Sequence, residues 1–116
     1  MKNASLITTH VLDTNLGKPA RGVKVVLEFA KTDGWQQIAT GVTDNDGRVT
    51  NLLDVNYGLA SGTYRLNFEI DAYYFEQGKE CFYSAVQINF KVRDPREHFH
   101  VPLLISGFGY STYRGS

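Results

Sequence analysis

The stretch YRLNFEID, residues 64–71, alternates apolar and polar side chains without interruption. In an extended strand, successive side chains point to opposite faces. One face would therefore carry the apolar set, Tyr64, Leu66, Phe68 and Ile70. A period of two is typical of an antiparallel strand that packs one face against a core and leaves the other in solvent. The stretch predicts a half-buried strand and an all-β fold.

The same alternation recurs on both sides of this stretch. It predicts strands with inward-facing apolar sets in residues 23–29 and 82–92, and further strands at about 5–13, 35–43 and 98–106. Turn-forming Gly, Asp, Asn and Pro residues separate these segments. Only residues 71–80 could hold a helix, and such a short helix would need to pack on the sheet to persist. The spacing predicts a β-sandwich.

Length and charge limit the classes of function. The 116 residues fit one domain, 1–116, with one core. Twelve basic residues balance twelve acidic ones, so the chain has no net field that would attract nucleic acid or an anionic membrane. A small-molecule partner is favoured over nucleic acid or membrane.

The cysteine content and the first residues predict the compartment. Cys81 is the single cysteine, so the chain cannot form an internal disulfide, which fits a reducing environment. The start of the chain lacks the apolar segment of a secretory signal, and no apolar run reaches membrane-spanning length. We expect a cytoplasmic protein.

All three histidines are predicted to lie on the outer face of the sandwich. In HFHVPLLIS, residues 98–106, the apolar residues at odd positions would face the core, which leaves His98 and His100 outside. The same alternation in the first strand places His10 outside, beside Thr8. A lone outer histidine is usually only solvated. Three on one face favour an acid/base site, because imidazole titrates near neutral pH.

The same histidines leave a metal site open as an alternative. His98 and His100 project side by side, and a third imidazole from His10 would complete three zinc ligands and leave a fourth position for water. No carboxylate that would orient these ligands can be identified from the sequence. We therefore favour a site without metal.

Arg48 and two leucines complete the predicted outer surface. Arg48 follows Gly47 in the turn-forming stretch TDNDGRV, residues 43–49, and would offer a planar fork of donors to carbonyl or anionic oxygens. Leu12 and Leu104 are predicted to be apolar positions on the same outer face as the histidines. Exposed apolar surface next to polar groups indicates assembly of several chains through this face.

Four segments resemble one family: THVLD (9–13), DGR (46–48), HFHVPLL (98–104) and YSTYRGS (110–116). Together they resemble the 5-hydroxyisourate hydrolases, also called transthyretin-related proteins, over essentially the whole chain. The resemblance implies a transthyretin-like antiparallel β-sandwich of about eight strands with one short helix. It implies a homotetramer, a dimer of dimers, with sites at the dimer–dimer interface.

The resemblance also implies an activity and the residues that carry it. The activity is hydrolysis of 5-hydroxyisourate to 2-oxo-4-hydroxy-4-carboxy-5-ureidoimidazoline in urate degradation, with no metal or organic cofactor. The predicted catalytic residues are His10, Arg48, His100 and Ser116. The predicted substrate contacts are His10, Arg48, His98 and Tyr113.

The resemblance leaves the roles of the histidines and one alternative function open. Our hypothesis is that His10, with Ser116 and Arg48, deprotonates the attacking water, and that His100 transfers the second proton. Which histidine is base and which is acid stays open. The alternative function is a transthyretin-like carrier of a small aromatic ligand.

Overall fold

The strand predicted from the alternation in residues 64–71 is present, but it ends before Ile70. In the computed structural model, which describes residues 5–116, this strand spans Gly62–Phe68 and Ile70 begins a helix. Ile70 is nevertheless fully buried, so its burial was predicted correctly and its element was not. The predicted domain spans residues 1–116, of which 1–4 lie outside the described residues. In chain order the elements are β1 (Ile7–Asp13), β2 (Lys18–Pro19), β3 (Lys24–Lys31), β4 (Gly34–Val42), β5 (Arg48–Val49), β6 (Gly62–Phe68), α1 (Ile70–Glu76), β7 (Val86–Val92), β8 (Phe99–Ile105) and β9 (Tyr110–Thr112).

Two sheets form the predicted sandwich. The first has the order β2-β1-β8-β9, with β5 also paired to β1, and the second has the order β4-β3-β6-β7. The pairs are antiparallel except for β1 and β8, which run parallel in register from Ile7 opposite Phe99 to Asp13 opposite Ile105. The predicted antiparallel β-sandwich is confirmed, with this one parallel pair as an exception. The physical reason for the exception is the connection, because the chain crosses the whole second sheet between β1 and β8.

The core lies between the two sheets and uses the predicted inward faces. The apolar residues at alternate positions of β1, β3, β6 and β8 have almost no exposed surface, except Phe29 at the end of the β3 set, which is partly buried. Strand β7 begins at Val86, four residues later than the predicted segment 82–92, and its inward residues are buried or half-buried. Burial of these side chains provides the main favourable term in folding.

Helix α1 is attached to the first sheet through a buried carboxylate. Asp13, at the end of β1, has no exposed surface, and it accepts hydrogen bonds from the hydroxyl groups of Tyr73 (2.8 Å) and Tyr74 (3.1 Å). Burial, together with the Asp13 carboxylate, raises the pKa of Tyr73 to about 12, so it stays a donor. This contact explains why so short a helix persists. No helix in residues 5–116 has the length and apolar character to cross a membrane.

Candidate active site

Three strands of the first sheet bring the predicted site residues together. Strand β5 pairs with β1 on one side and places Arg48 opposite His10. Strand β8 pairs with β1 on the other side and places His100 opposite Thr8. Because Phe99 and Val101 point into the core, His100 between them points outward, as the alternation predicted.

These strands border a cleft of about 250 Å³ on the outer face of the sheet. Its walls contain four of the predicted residues, Arg48, His98, His100 and Ser116. The other lining residues are threonines, Thr8, Thr9 and Thr50. His10 is half-buried beside this cleft, across the β1–β5 pair from Arg48, and does not line it.

The segment after β9 folds back along β8 and carries Ser116 to the cleft. The Gly115 amide donates a hydrogen bond of 2.8 Å to the His100 carbonyl and forms an isolated bridge with that residue. A Cβ atom on Gly115 would lie 2.6 Å from His100 Cδ2 and 3.2 Å from Pro102 Cγ, so glycine permits this close approach. Arg114 extends over the Phe99 ring with its guanidinium carbon 4.8 Å from the ring centroid.

Arg48 is held at the cleft by a turn built on Asp44. One carboxylate oxygen of Asp44 accepts hydrogen bonds from the backbone amides of Asp46 (2.9 Å) and Arg48 (3.0 Å). The Arg48 amide is the largest cause of the lowered pKa of this carboxyl group. Gly47 adopts φ +75°, and a Cβ there would overlap the Val11 carbonyl oxygen, so the turn requires glycine.

Within residues 5–116, the Arg48 guanidinium has no carboxylate partner. The ion pairs of the described residues all involve other arginines, namely Arg65, Arg96 and Arg114. Arg48 is therefore free to bind a carbonyl or anionic oxygen in the cleft.

His100 is fixed in place and kept neutral. Its Nδ1 lies 2.8 Å from the Thr8 hydroxyl oxygen, and its ring is nearly parallel to that of His98 at a centroid distance of 6.5 Å. Burial lowers the pKa of His100, and the positive charges of Arg48, His98 and His10 lower it further. A neutral imidazole can accept a proton at pH 7.

Tyr113 lines a different cavity from Ser116, although His100 borders both cavities. It lines a separate, mainly apolar cavity of about 220 Å³ between β7, β8 and the segment after β9, and its side chain is 60% exposed. Within one chain, the structure does not bring Tyr113 to the cleft that holds Arg48. Its predicted contact with substrate stays a prediction.

No three His, Cys, Asp or Glu side chains in residues 5–116 are grouped so that they could hold a metal ion. His98 and His100 lie side by side as predicted, but the Thr8 hydroxyl lies within hydrogen-bond distance of a nitrogen on each. The described residues therefore give no support to the zinc alternative.

The sequence reasoning did not assign a role to Thr8, Asp44 or Gly115. Thr8 lies two residues before His10 on the same face, so the alternation that located the histidines also places Thr8 among them. The carboxylate and glycine of the DNDG turn are a recognisable signal for Asp44. No local pattern predicts that Gly115 packs on His100, because the contact joins two segments through tertiary structure.

Comparison with known proteins gives one consistent family. Residues 7–115 match the model of the HIUase/Transthyretin family. The chain is 43% identical to 5-hydroxyisourate hydrolase 2 of Rhizobium meliloti (strain 1021), and the match covers the whole of both chains.

Two solved structures have a similar backbone. For the 5-hydroxyisourate hydrolase of Klebsiella pneumoniae the TM-score is 0.83, with 37% identity over 95% of this chain and 98% of that one. For sea bream transthyretin in complex with thyroxine the TM-score is 0.88, with 33% identity over 96% and 95%. The backbone alone therefore does not separate a hydrolase from a thyroxine-binding protein, and the side chains of the cleft must do so.

Proposed function

The chain belongs to the HIUase/transthyretin family, and from this premise we propose that it hydrolyses 5-hydroxyisourate at a cyclic amide bond. The observation that carries the proposal is the convergence of a neutral imidazole, an unpaired guanidinium and a hydroxyl in one cleft, from His100, Arg48 and Ser116. These three groups come from three segments that are far apart in sequence. A carrier that binds an aromatic ligand by shape needs none of them.

Ring opening by water makes three chemical demands. Water must lose a proton as its oxygen attacks the ring carbonyl, and negative charge then develops on the carbonyl oxygen. The ring C–N bond breaks as the nitrogen leaves, and this nitrogen must receive a proton. Positioned acid and base groups contribute about 100- to 10,000-fold each to such steps, and a donor aimed at the oxyanion contributes a comparable factor.

The geometry assigns a group to each demand. His100 lines the cleft, and its lowered pKa leaves it unprotonated near pH 7, so it is suited to accept the proton of water. Arg48 lies in the same wall and can stabilise the developing oxyanion, while Ser116 can hold the water. We assign protonation of the departing nitrogen to His10, the remaining imidazole, which lies beside the cleft and opposite Arg48 in the β1–β5 pair. This assignment reverses the roles that we hypothesised for the two histidines from the sequence.

A rate measurement tests the proposal directly. Freshly generated 5-hydroxyisourate decays spontaneously, and its loss can be followed spectroscopically with and without the protein. We expect the protein to accelerate the loss, and to do so equally well in the presence of a chelator. A rate equal to the spontaneous one would refute the proposed function.

The second candidate is a carrier of a small aromatic ligand, which the backbone similarity to a thyroxine complex favours. Thyroxine binding measured by calorimetry on the same sample would identify this function. A protein that binds thyroxine tightly and leaves the decay rate unchanged would be a carrier. The unpaired Arg48 and the neutral His100 are the features that favour the enzyme.

We also propose a homotetramer, a dimer of dimers, with the site at the dimer–dimer interface. Leu12 and Leu104 are opposite each other in the β1–β8 pair, and both are only half-buried within one chain. Leu104 lies on the same face of β8 as His100, so a second chain covering the leucines would also close the open side of the cleft.

Sedimentation analysis tests this assembly. Leu104→Glu should release smaller species and reduce the rate of hydrolysis. Val42→Glu, at an exposed position of the other sheet, is the matched control and should leave the assembly intact. A wild-type monomer that is fully active would exclude the interface.

We propose the cytoplasm as the location of the protein. The support is Cys81, whose half-buried thiol donates a hydrogen bond to the Tyr83 carbonyl at 3.3 Å and has no second cysteine to pair with. Cell fractionation of the tagged full-length protein tests this proposal, and recovery in a secreted fraction would refute it.

A further inference from the structure

One hydroxyl group lies between His100 of β8 and His98, the residue just before this strand. The Thr8 oxygen is 2.8 Å from Nδ1 of His100 and 3.2 Å from Nε2 of His98. Thr8 is only 6% exposed, so its contacts with the imidazoles cannot be replaced freely by water. The three side chains form a continuous chain from exposed His98 to half-buried His100.

The Thr8 hydroxyl has one proton to donate and two lone pairs to accept with, so two arrangements exist in which it donates to one neutral imidazole and accepts from the other. In the first, His100 donates from Nδ1 to the Thr8 oxygen, and the Thr8 hydroxyl donates to Nε2 of His98. In the second, His98 donates from Nε2 to the Thr8 oxygen, and the Thr8 hydroxyl donates to Nδ1 of His100. Each arrangement fixes the tautomer of both rings at once.

The two arrangements give His100 opposite chemistry. With its proton on Nδ1, neutral His100 has a lone pair at Nε2 and can act as a base. With Nδ1 accepting from Thr8, its proton lies on Nε2 and it can act only as a donor there. No hydrogen bond to Nε2 of His100 exists within residues 5–116, so this nitrogen is the one available for chemistry.

We propose that Thr8 is a positioning residue that couples the two histidines, so that a His98 lacking a proton on Nε2 holds His100 in its base form. A His98 that carries a proton on Nε2 donates to Thr8 instead, which frees the Thr8 hydroxyl proton to turn toward Nδ1 of His100, so the base form is no longer enforced. For the reaction itself, this inference rests on the proposed function. The coupling of the two rings does not.

Other charges act on the same pair. Groups facing His100 are His10 on β1, Arg48 on β5 and His98 just before β8, and Arg114 donates a hydrogen bond to the His98 carbonyl. Burial and the positive charge of Arg48 disfavour the doubly protonated form of His100, and any proton held by His98 or His10 acts in the same direction. His100 therefore exists mainly as a neutral ring at pH 7, which is the state in which the choice of tautomer matters.

Nitrogen-15 NMR of the histidine side chains reports the tautomers directly. In the wild-type protein at about pH 8.5, well above the usual range of imidazole titration, we expect the His100 proton on Nδ1. Thr8→Val preserves the shape and removes the hydroxyl, so the Nδ1 proton loses its acceptor and the His100 proton should move to Nε2. Thr8→Ser should retain the wild-type tautomer. Thr63→Val makes the same chemical change on the other sheet and is the control.

Kinetics supply the second readout. Thr8→Val should lower kcat by at least about tenfold, in line with loss of a positioned base, while KM changes little. Thr8→Ser should keep kcat close to the wild-type value, and kcat/KM of this variant should decline at low pH as it does in the wild-type protein. A merely structural role for Thr8 would not predict a change of tautomer together with this rescue.

The two proposals fail in different ways. A wild-type His100 with its proton on Nε2, or ring signals that Thr8→Val leaves unchanged, would overturn the coupling whatever the activity. The wild-type measurement alone decides this if Thr8→Val does not fold. Coupled rings in a protein that leaves the decay of 5-hydroxyisourate unchanged would support the coupling and refute the proposed function.

Discussion

Gly115→Ala tests how closely the site depends on the packing of the tail against His100. The added Cβ would lie 2.6 Å from His100 Cδ2, about 1 Å inside the usual carbon–carbon contact of roughly 3.5–4.0 Å. The ring cannot turn away without losing its 2.8 Å contact with Thr8, so either His100 or the segment carrying Ser116 must move by about 1 Å. A displacement of this size at a reacting group costs about 100-fold in rate. We expect kcat/KM for 5-hydroxyisourate to fall by about that factor.

The effect on stability should be small by comparison. The substitution endangers one backbone hydrogen bond, from Gly115 to the His100 carbonyl, which is worth about 1 kcal/mol. Gly58→Ala is the matched control, because a Cβ there meets no atom within 4 Å. If Gly115→Ala folds normally and hydrolyses substrate at a rate within about twofold of wild type, the tail does not position His100 and the reasoning fails.

Four further outcomes are expected. His10→Ala or His100→Ala should keep the fold, shown by an unchanged circular dichroism spectrum, and lose at least about tenfold in rate; wild-type turnover in either variant would remove that histidine from the mechanism. Deletion of residues 113–116 should abolish catalysis with little change in unfolding temperature, because the tail contributes mainly exposed contacts; an active truncated protein would exclude the tail from the site. Tyr74→Phe removes a donor from the buried Asp13 carboxylate and should lower the free energy of unfolding in urea by about 1.5–3 kcal/mol, whereas an unchanged midpoint would show that this hydrogen bond contributes nothing net. Because the pKa of His100 is lowered from its usual value of 6.5, kcat/KM should persist as pH falls through 6.5 and decline only below it. Over the same fall in pH the folded state should become less stable, because the His100 imidazole of the unfolded chain binds a proton before that of the folded chain does. A decline in kcat/KM centred above pH 6.5 would contradict the assignment of His100 as the base.

The sequence predicted which face of a strand each side chain occupies better than it predicted which residues that side chain contacts. Alternation in β8 correctly separated the buried Phe99 and Val101 from the outward His100, because the period of a strand is a local property of the backbone. It could not predict that β8 pairs in parallel with β1, which depends on how the whole second sheet is crossed. The same limit explains why the predictions missed the Thr8 contact with both imidazoles.

The resemblance and the alternation contributed different parts of the site. Arg48 and Ser116 were identified by the DGR and YRGS segments, and the cleft brings both to His100. The YRGS segment also identified Tyr113, yet within one chain Tyr113 lines a different cavity from Arg48 and Ser116. A motif specifies which residues occur together in a family, whereas the backbone path decides which cavity each one faces.

The parallel pairing of β1 with β8 also determines when the site can form during folding. Each residue of β1 pairs with a residue of β8 that lies 92 positions later in the sequence. Forming this strand pair therefore has a large entropic cost, and such long-range pairing is typical of folds with high contact order. During synthesis, β1 lacks its parallel partner until β8, 92 positions later, has left the ribosome. Catalytic competence therefore arises at the end of folding, and a nascent chain interrupted before residue 99 contains His10 and Arg48 without an active site.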